Sequence, residues 1–144
     1  MIVPDANLLI YSTNQRAGLN RQAREWLESV LSGGETVGFA WNVLLAFIRL
    51  STRPGMFEKP LKADAALDQV DEWIRQPGAL VIHPGPRHAQ IMRQLLSPLG
   101  VAGDLTSDAH LAALAIEHSA ELCSADSDFA RFAGLRWRNP LAAK

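Results

Sequence analysis

The chain has 144 residues, 48% of them hydrophobic and 20% charged, with a formal net charge of −1. This suits one globular domain over residues 1–144 and excludes a strongly basic nucleic-acid binder, although a local basic patch stays compatible with it. A single cysteine excludes an internal disulfide, no apolar run approaches the ~20 residues of a membrane span, and no signal segment is visible, so a cytoplasmic location is expected.

Residues 1–4 read as a short buried strand. Ala23, Trp26, Leu27, Val30 and Leu31 recur at helical spacing, which predicts an amphipathic helix over 20–32 ended by Gly33-Gly34. A second strand is expected at 36–39. Residues 41–52 are nearly all apolar and predict a buried helix stopped by Pro54-Gly55. A helix near 62–76 places Ala66, Leu67, Val70 and Ile74 on one face, and Leu80-Val81-Ile82 is a third strand. A helix at 86–97 and another starting near Thr106 follow, then a strand at 121–124, a helical turn at 127–132 and a last strand at 135–138. Strands alternating with helices imply a parallel sheet covered on both faces. The tryptophans 26, 41, 73 and 137 fall in apolar patterns and read as core. Cys123 reads as a small buried hydrophobe.

Asp5 follows the first strand, Asp108 opens an apolar helix, and Asp126 and Asp128 follow the strand that ends near Cys123. Aspartate is favoured at turns and helix starts, so any one of these is an ordinary cap on its own. Together they fall where open α/β sheets bind ligands, at the carboxyl ends of the strands. Several carboxylates at one rim repel each other unless a cation neutralises them, which points to a hard divalent metal. Asn7 and Ser124 are placed to orient such ligands or a metal-bound water. Which of Asp126 and Asp128 ligates and which caps stays open. His83, His88, His110 and His118 lack zinc-like spacing and read as surface or core-edge residues.

Three segments then make the pattern specific. They are Ile2-Val3-Pro4-Asp5-Ala6-Asn7-Leu8-Leu9, Ser107-Asp108-Ala109-His110-Leu111-Ala112-Ala113-Leu114-Ala115 and Ser124-Ala125-Asp126-Ser127-Asp128-Phe129, with Asn139-Pro140-Leu141 closing the chain. In this order and spacing the chain resembles a PIN-domain ribonuclease of the VapC toxin type. The resemblance implies a three-layer α/β/α fold with a central five-stranded parallel sheet. It also implies Mg²⁺- or Mn²⁺-dependent endonucleolysis of RNA, a homodimer, and neutralisation by a VapB-type antitoxin. PIN domains usually carry an acid, often Glu, in the helix after the second strand. Here that position aligns with Phe47, and no acidic residue occurs between Glu35 and Glu58. Asp104, one helical turn before Asp108, is the candidate substitute, while Phe47 is expected to close one side of the site.

The expected mechanism holds Mg²⁺ on Asp5, Asp108 and Asp126 or Asp128, with RNA phosphates on Arg49, Arg53, Lys59 and Lys62. Those four cations read equally well as a solvated face. An aspartyl-nucleophile phosphatase would need a downstream lysine, and none occurs between Lys62 and Lys144. The same absence weakens a phospho-receiver. A PIN-like module that binds RNA or a partner without cleaving is the non-enzymatic alternative. The apolar helices at 41–52 and 86–97 independently suggest a homodimer surface.

Overall fold

The computed structural model describes residues 1–142. Five parallel strands, β1 (Ile2–Pro4), β2 (Val37–Ala40), β3 (Ala79–Ile82), β4 (Glu121–Cys123) and β5 (Trp137–Arg138), lie in the order β3-β2-β1-β4-β5. The register pairs Ile2 with Val37 and Glu121, Pro4 with Cys123, and Ala40 with Ile82. The carboxyl ends of β1, β2 and β4 therefore reach one rim at about the same height. Val3, Val37, Phe39 and Leu122 are fully buried, as expected for strands covered on both faces.

Six helices, α1 (Ala6–Thr13), α2 (Asn20–Leu31), α3 (Trp41–Thr52), α4 (Ala63–Ile74), α5 (His88–Leu96) and α6 (Thr106–Glu117), complete a three-layer α/β/α arrangement. Helix α1 packs on α2 and α3, α3 on α4, and α5 on α6. The expected strands and five of the six helices appear within a few residues of their expected bounds, and the turn at 127–132 is a 3-10 helix over Ser127–Arg131. Periodicity missed α1. Leu8, Leu9 and Ile10 are all buried, so the helix has no clear polar stripe and its run of large apolar residues looks like a continuation of the strand.

The helix over 41–52 is only half buried. Val43, Leu44, Phe47 and Ser51 face the core, while Trp41 (42% exposed) and Leu45 (56%) face out. Trp41 is thus no core residue. Trp73 is, at 5% exposure, with Trp26 and Trp137 partly buried. Leu67, expected on the packed face of α4, is 46% exposed. Phe47 does not line the rim. Its fully buried ring meets Trp73 of α4 edge to face at 4.8 Å, and Phe39 of β2 stacks on the same indole at 6.3 Å. Ile91 and Leu95 are buried, so much of the apolar character of α5 serves the core.

Candidate active site at the carboxyl rim

Asp5 leaves β1 with its amide still bonded to the Cys123 carbonyl at 2.9 Å, and it caps α1 by accepting from the Ala6 amide at 2.7 Å. Its other carboxylate oxygen accepts from Ser124 Oγ at 2.7 Å. Ser124, fully buried, is the hub of the rim. Its hydroxyl also accepts from Asn7 Nδ2 at 3.1 Å and from the Asp126 amide at 3.0 Å. Asn7 returns its side-chain oxygen to the Ala125 amide at 3.3 Å, so α1 and the end of β4 are tied by both ends of one carboxamide. Asn7 Nδ2 and Ser124 Oγ both lie within hydrogen-bond reach of Asp5 Oδ2, at 3.4 and 2.7 Å.

The two aspartates after β4 differ. Asp126 caps the 3-10 helix through its Oδ1, which accepts from the Asp128 amide at 2.9 Å. Asp128 is half exposed, and one oxygen lies 3.7 Å from Arg131. Asp126 thus sits in the Ser124 network, while Asp128 is partly neutralised outside it. Helix α6 starts at Thr106, so Asp108 stands in its first turn, where the helix dipole favours a carboxylate.

These acids interact strongly. Burial, and then the charges of Asp5, Asp126 and Asp128, push the Asp108 carboxyl up to about 6. Burial also raises Asp5, against the opposing bonds from Ser124 and the Ala6 amide and with a further push from Asp126. Asp104 does not belong to this group. It is exposed in a 3-10 turn over Gly103–Leu105, and its charge is not among those acting on Asp108. Cys123, beside the rim, is buried and its thiol is pushed up to about 12, which makes it an inert hydrophobe.

One rim residue escaped the sequence reading. Asn42 lies in the first turn of α3, just past Ala40, which the register sets level with Asp5. Its side-chain oxygen is buried and has no hydrogen-bond partner among the described residues. Its signal in the sequence was a lone amide in an otherwise apolar helix start.

The donor chemistry fits a hard divalent cation. The side-chain donors at the rim are oxygens, the charge is in excess, and Asn42 offers an unsatisfied oxygen. Among the described residues, no three His, Cys, Asp or Glu side chains lie together as a group that could hold a metal ion.

Arg49, Arg53, Lys59 and Lys62 are exposed and form no ion pair among the described residues. They lie at the far end of α3 and in the segment after it. Arg49 is two helical turns beyond Trp41, about 12 Å along the axis. The fold does not bring these cations into the carboxylate cluster. No helix among the described residues is long and apolar enough to cross a membrane.

Comparison with known proteins places these features in context. The family described as PIN domain matches residues 2–135. Ribonuclease VapC37 of Mycobacterium tuberculosis is 46% identical over 142 residues, covering 99% of each chain. Ribonuclease VapC33 of the same species is 40% identical over 141 residues, covering 98% of this chain and 99% of that one. Among solved structures, VapBC2 from Rickettsia felis, bound to a DNA fragment from its promoter, superposes with a TM-score of 0.71 at 19% identity, over 96% of this chain and 98% of that chain.

Proposed function

The chain belongs to the PIN-domain family, and we propose that it is a metal-dependent endoribonuclease, the toxin of a VapBC-type toxin–antitoxin pair. The observation that carries the reading is the gathering of Asp5, Asp108 and Asp126 at one rim, where burial and then the neighbouring carboxylate charges raise Asp108 to about 6. The ribonuclease names of relatives aligned over nearly the whole chain support the activity. In this reading the chain is a single PIN domain over 1–144, acts in the cytoplasm on RNA, and is held in check by a VapB-type antitoxin.

Asp5, Asp108 and Asp126 would hold Mg²⁺ or Mn²⁺, with Asp128 the weaker candidate because Arg131 already stands against it. When bound, the ion supplies charge neutralisation for the scissile phosphate and Lewis acidity for an attacking water. The protein supplies orientation. Ser124 and Asn7 fix the Asp5 carboxylate, and Asp126 is fixed through its own capping bond. Asp108 must lose its proton before it can ligate, so proton and ion compete for the same oxygen. RNA phosphates would reach Arg49, Arg53, Lys59 and Lys62 only as a strand running along α3 away from the rim.

The test is cleavage of an RNA oligonucleotide with Mg²⁺, with Mn²⁺, and with EDTA. Cleavage that needs the ion is expected. A well-folded protein that binds RNA but never cleaves it, with either ion, would instead establish the binding-module alternative. That alternative draws on one observation, the absence of any acid in α3.

A homodimer forms part of the same reading. Trp41 and Leu45 stand one turn apart on the outer face of α3, and both are largely exposed, at 42% and 56%. Light scattering should give twice the chain mass, and Leu45→Glu should return the monomer. A monomer for the unaltered protein at tens of micromolar overturns this part alone.

A further inference from the structure

Helix α6 carries Asp108, yet its packed face is nearly featureless. Ala109, Ala112, Ala113 and Ala115 are all fully buried, beside Leu111 and Leu114. Small side chains leave shallow ridges, so apolar contact alone sets the register of such a helix weakly. A slip of one residue would move Asp108 by about 1.5 Å and turn it by about 100°.

What pins α6 is a polar cluster that begins at His110, two residues after Asp108, and ends at Glu117. His110 Nδ1 lies 2.9 Å from His88 Nε2 in the first turn of α5, and the two rings meet edge to face at 4.8 Å. Glu117, the last residue of α6, accepts from the Gly85 amide at 2.8 Å and the Arg87 amide at 3.2 Å. Those amides hold its carboxyl below the usual carboxylate range. A carboxylate at a helix C-terminus is otherwise disfavoured by the dipole, so the amides offset a local cost. The turn before α5 is built around this group, because a Cβ at position 85 would collide with the Glu117 carboxylate. His118 Nε2 adds a third point, 3.1 Å from the His83 carbonyl.

His88 joins the parts. Its Nε2 faces His110, while its buried Nδ1 has no hydrogen bond and lies 3.9 Å from Glu117 Oε1. The side chains of His88 and Glu117 are 15% and 11% exposed, so water competes little for these contacts. We propose that His88 is a positioning residue: its bond to His110, backed by Glu117, sets the register of α6 and so holds Asp108 against the other rim carboxylates. This inference rests on the carboxylate-site reading above, and it acts through Asp108 without touching substrate.

The test compares His88→Phe, which keeps a ring but loses the bond, with His88→Gln, which returns an amide where Nε2 stood. Mn²⁺ affinity is read by calorimetry, and kcat and KM by cleavage of one RNA oligonucleotide. Hydrogen exchange is followed at the amides of Asp108, Ala109 and His110. His88→Phe should weaken Mn²⁺ binding and lower kcat by about tenfold, as loss of a ligand-orienting partner does. KM should stay within about twofold, and the amides should exchange faster. His88→Gln should recover most of the loss. A merely structural role lowers the melting temperature while the folded protein keeps wild-type Mn²⁺ affinity and kcat. That result, in a His88→Phe protein with native circular dichroism, overturns the proposal. So does a loss that His88→Gln fails to recover. Should His88→Phe not fold, Glu117→Gln takes its place with the same two outcomes. A wild-type protein that binds Mn²⁺ at the rim without cleaving RNA refutes the nuclease reading alone, since the Mn²⁺ affinities still decide the role of His88.

Discussion

At the rim, one hydroxyl, Ser124 Oγ, serves the Asp5 carboxylate, the Asn7 amide and the Asp126 backbone at once. Under α3, the Phe47 ring meets Trp73 edge to face, and Phe39 stacks on the same indole. The first lies at the ends of β1 and β4 and the second beside β2, and they tolerate opposite changes. The rim accepts charge because Asp5 and Asp126 are held by hydrogen bonds and Asp108 is only partly buried. The aromatic nest is built of the Phe39, Phe47 and Trp73 rings, so the residue aligned with the family's usual Glu is committed to packing.

The largest effect that would break this contrast comes from Phe47→Glu. If Phe47 bordered the metal site, the change would add a ligand. Here it removes a fully buried ring and inserts an unpaired acid, which costs about 4 kcal/mol or more. That is a large share of the ~5–15 kcal/mol that holds a domain together. Urea denaturation should show a protein mostly unfolded or strongly destabilised. A stable variant with tighter Mg²⁺ binding would mean that Phe47 faces the rim after all.

The next effect lies at the rim. Asp5→Asn keeps the cap acceptor and the size of the side chain but removes a charge. Cleavage should fall at least about a hundredfold, with the melting temperature unchanged or higher, because a repelling carboxylate has gone. Wild-type cleavage by this variant would remove Asp5 from the site. Asp108→Asn should behave alike in cleavage.

A smaller effect appears as a pH dependence. Folding raises Asp108 from 3.8 to about 6, so between those values the native state binds more protons than the unfolded chain. The Asp108 contribution to stability in EDTA therefore falls as pH rises through that window and levels off above it. Metal affinity runs the other way, rising with pH up to about 6 and then flattening. Melting in EDTA at pH 5 and 7.5, beside calorimetric titration with Mn²⁺ at the same values, reads both trends. Asp108→Asn should flatten the first. An Asp108→Asn protein with the same pH trend in EDTA as the wild type would contradict the charge cluster.

The contrast also explains what the sequence made legible. The rim positions of Asp5, Asp108, Asp126 and Asp128 were legible because turn chemistry and strand ends locate a polar residue in space without knowledge of packing, whereas the different settings of Asp126 and Asp128 were not. The α3 face could not be resolved. Trp41, Leu45 and Phe47 are alike in hydropathy, and only the placement of α4 decides that Phe47 turns inward while Trp41 and Leu45 turn out. Helix α1 was hidden for a related reason, since burial on several sides erases the polar stripe that marks a helix. The His88–Glu117 cluster joins residues from two helices, and no spacing rule links the start of α5 to the end of α6.

The smallest expected effect concerns Asp104, four residues before Asp108. Had α6 extended back to it, both carboxylates would share a face, and Asp104 would stand in for the acid missing from α3. Instead the helix begins at Thr106, behind a turn in which Gly103 takes a positive φ of 45°. That left-handed residue turns the chain just before Asp104 and breaks the helical spacing on which the substitution depended. The side chain is left exposed, where solvent and salt screen its charge. Asp104→Ala should accordingly change Mn²⁺ affinity and kcat by less than about twofold, with stability unaltered within about 0.5 kcal/mol. A fivefold or larger loss of Mn²⁺ affinity would show that the 97–105 segment closes over the rim when the ion binds and brings Asp104 with it. In that event the missing acid of α3 is replaced from the α6 side, and the site has one more ligand than its resting geometry displays.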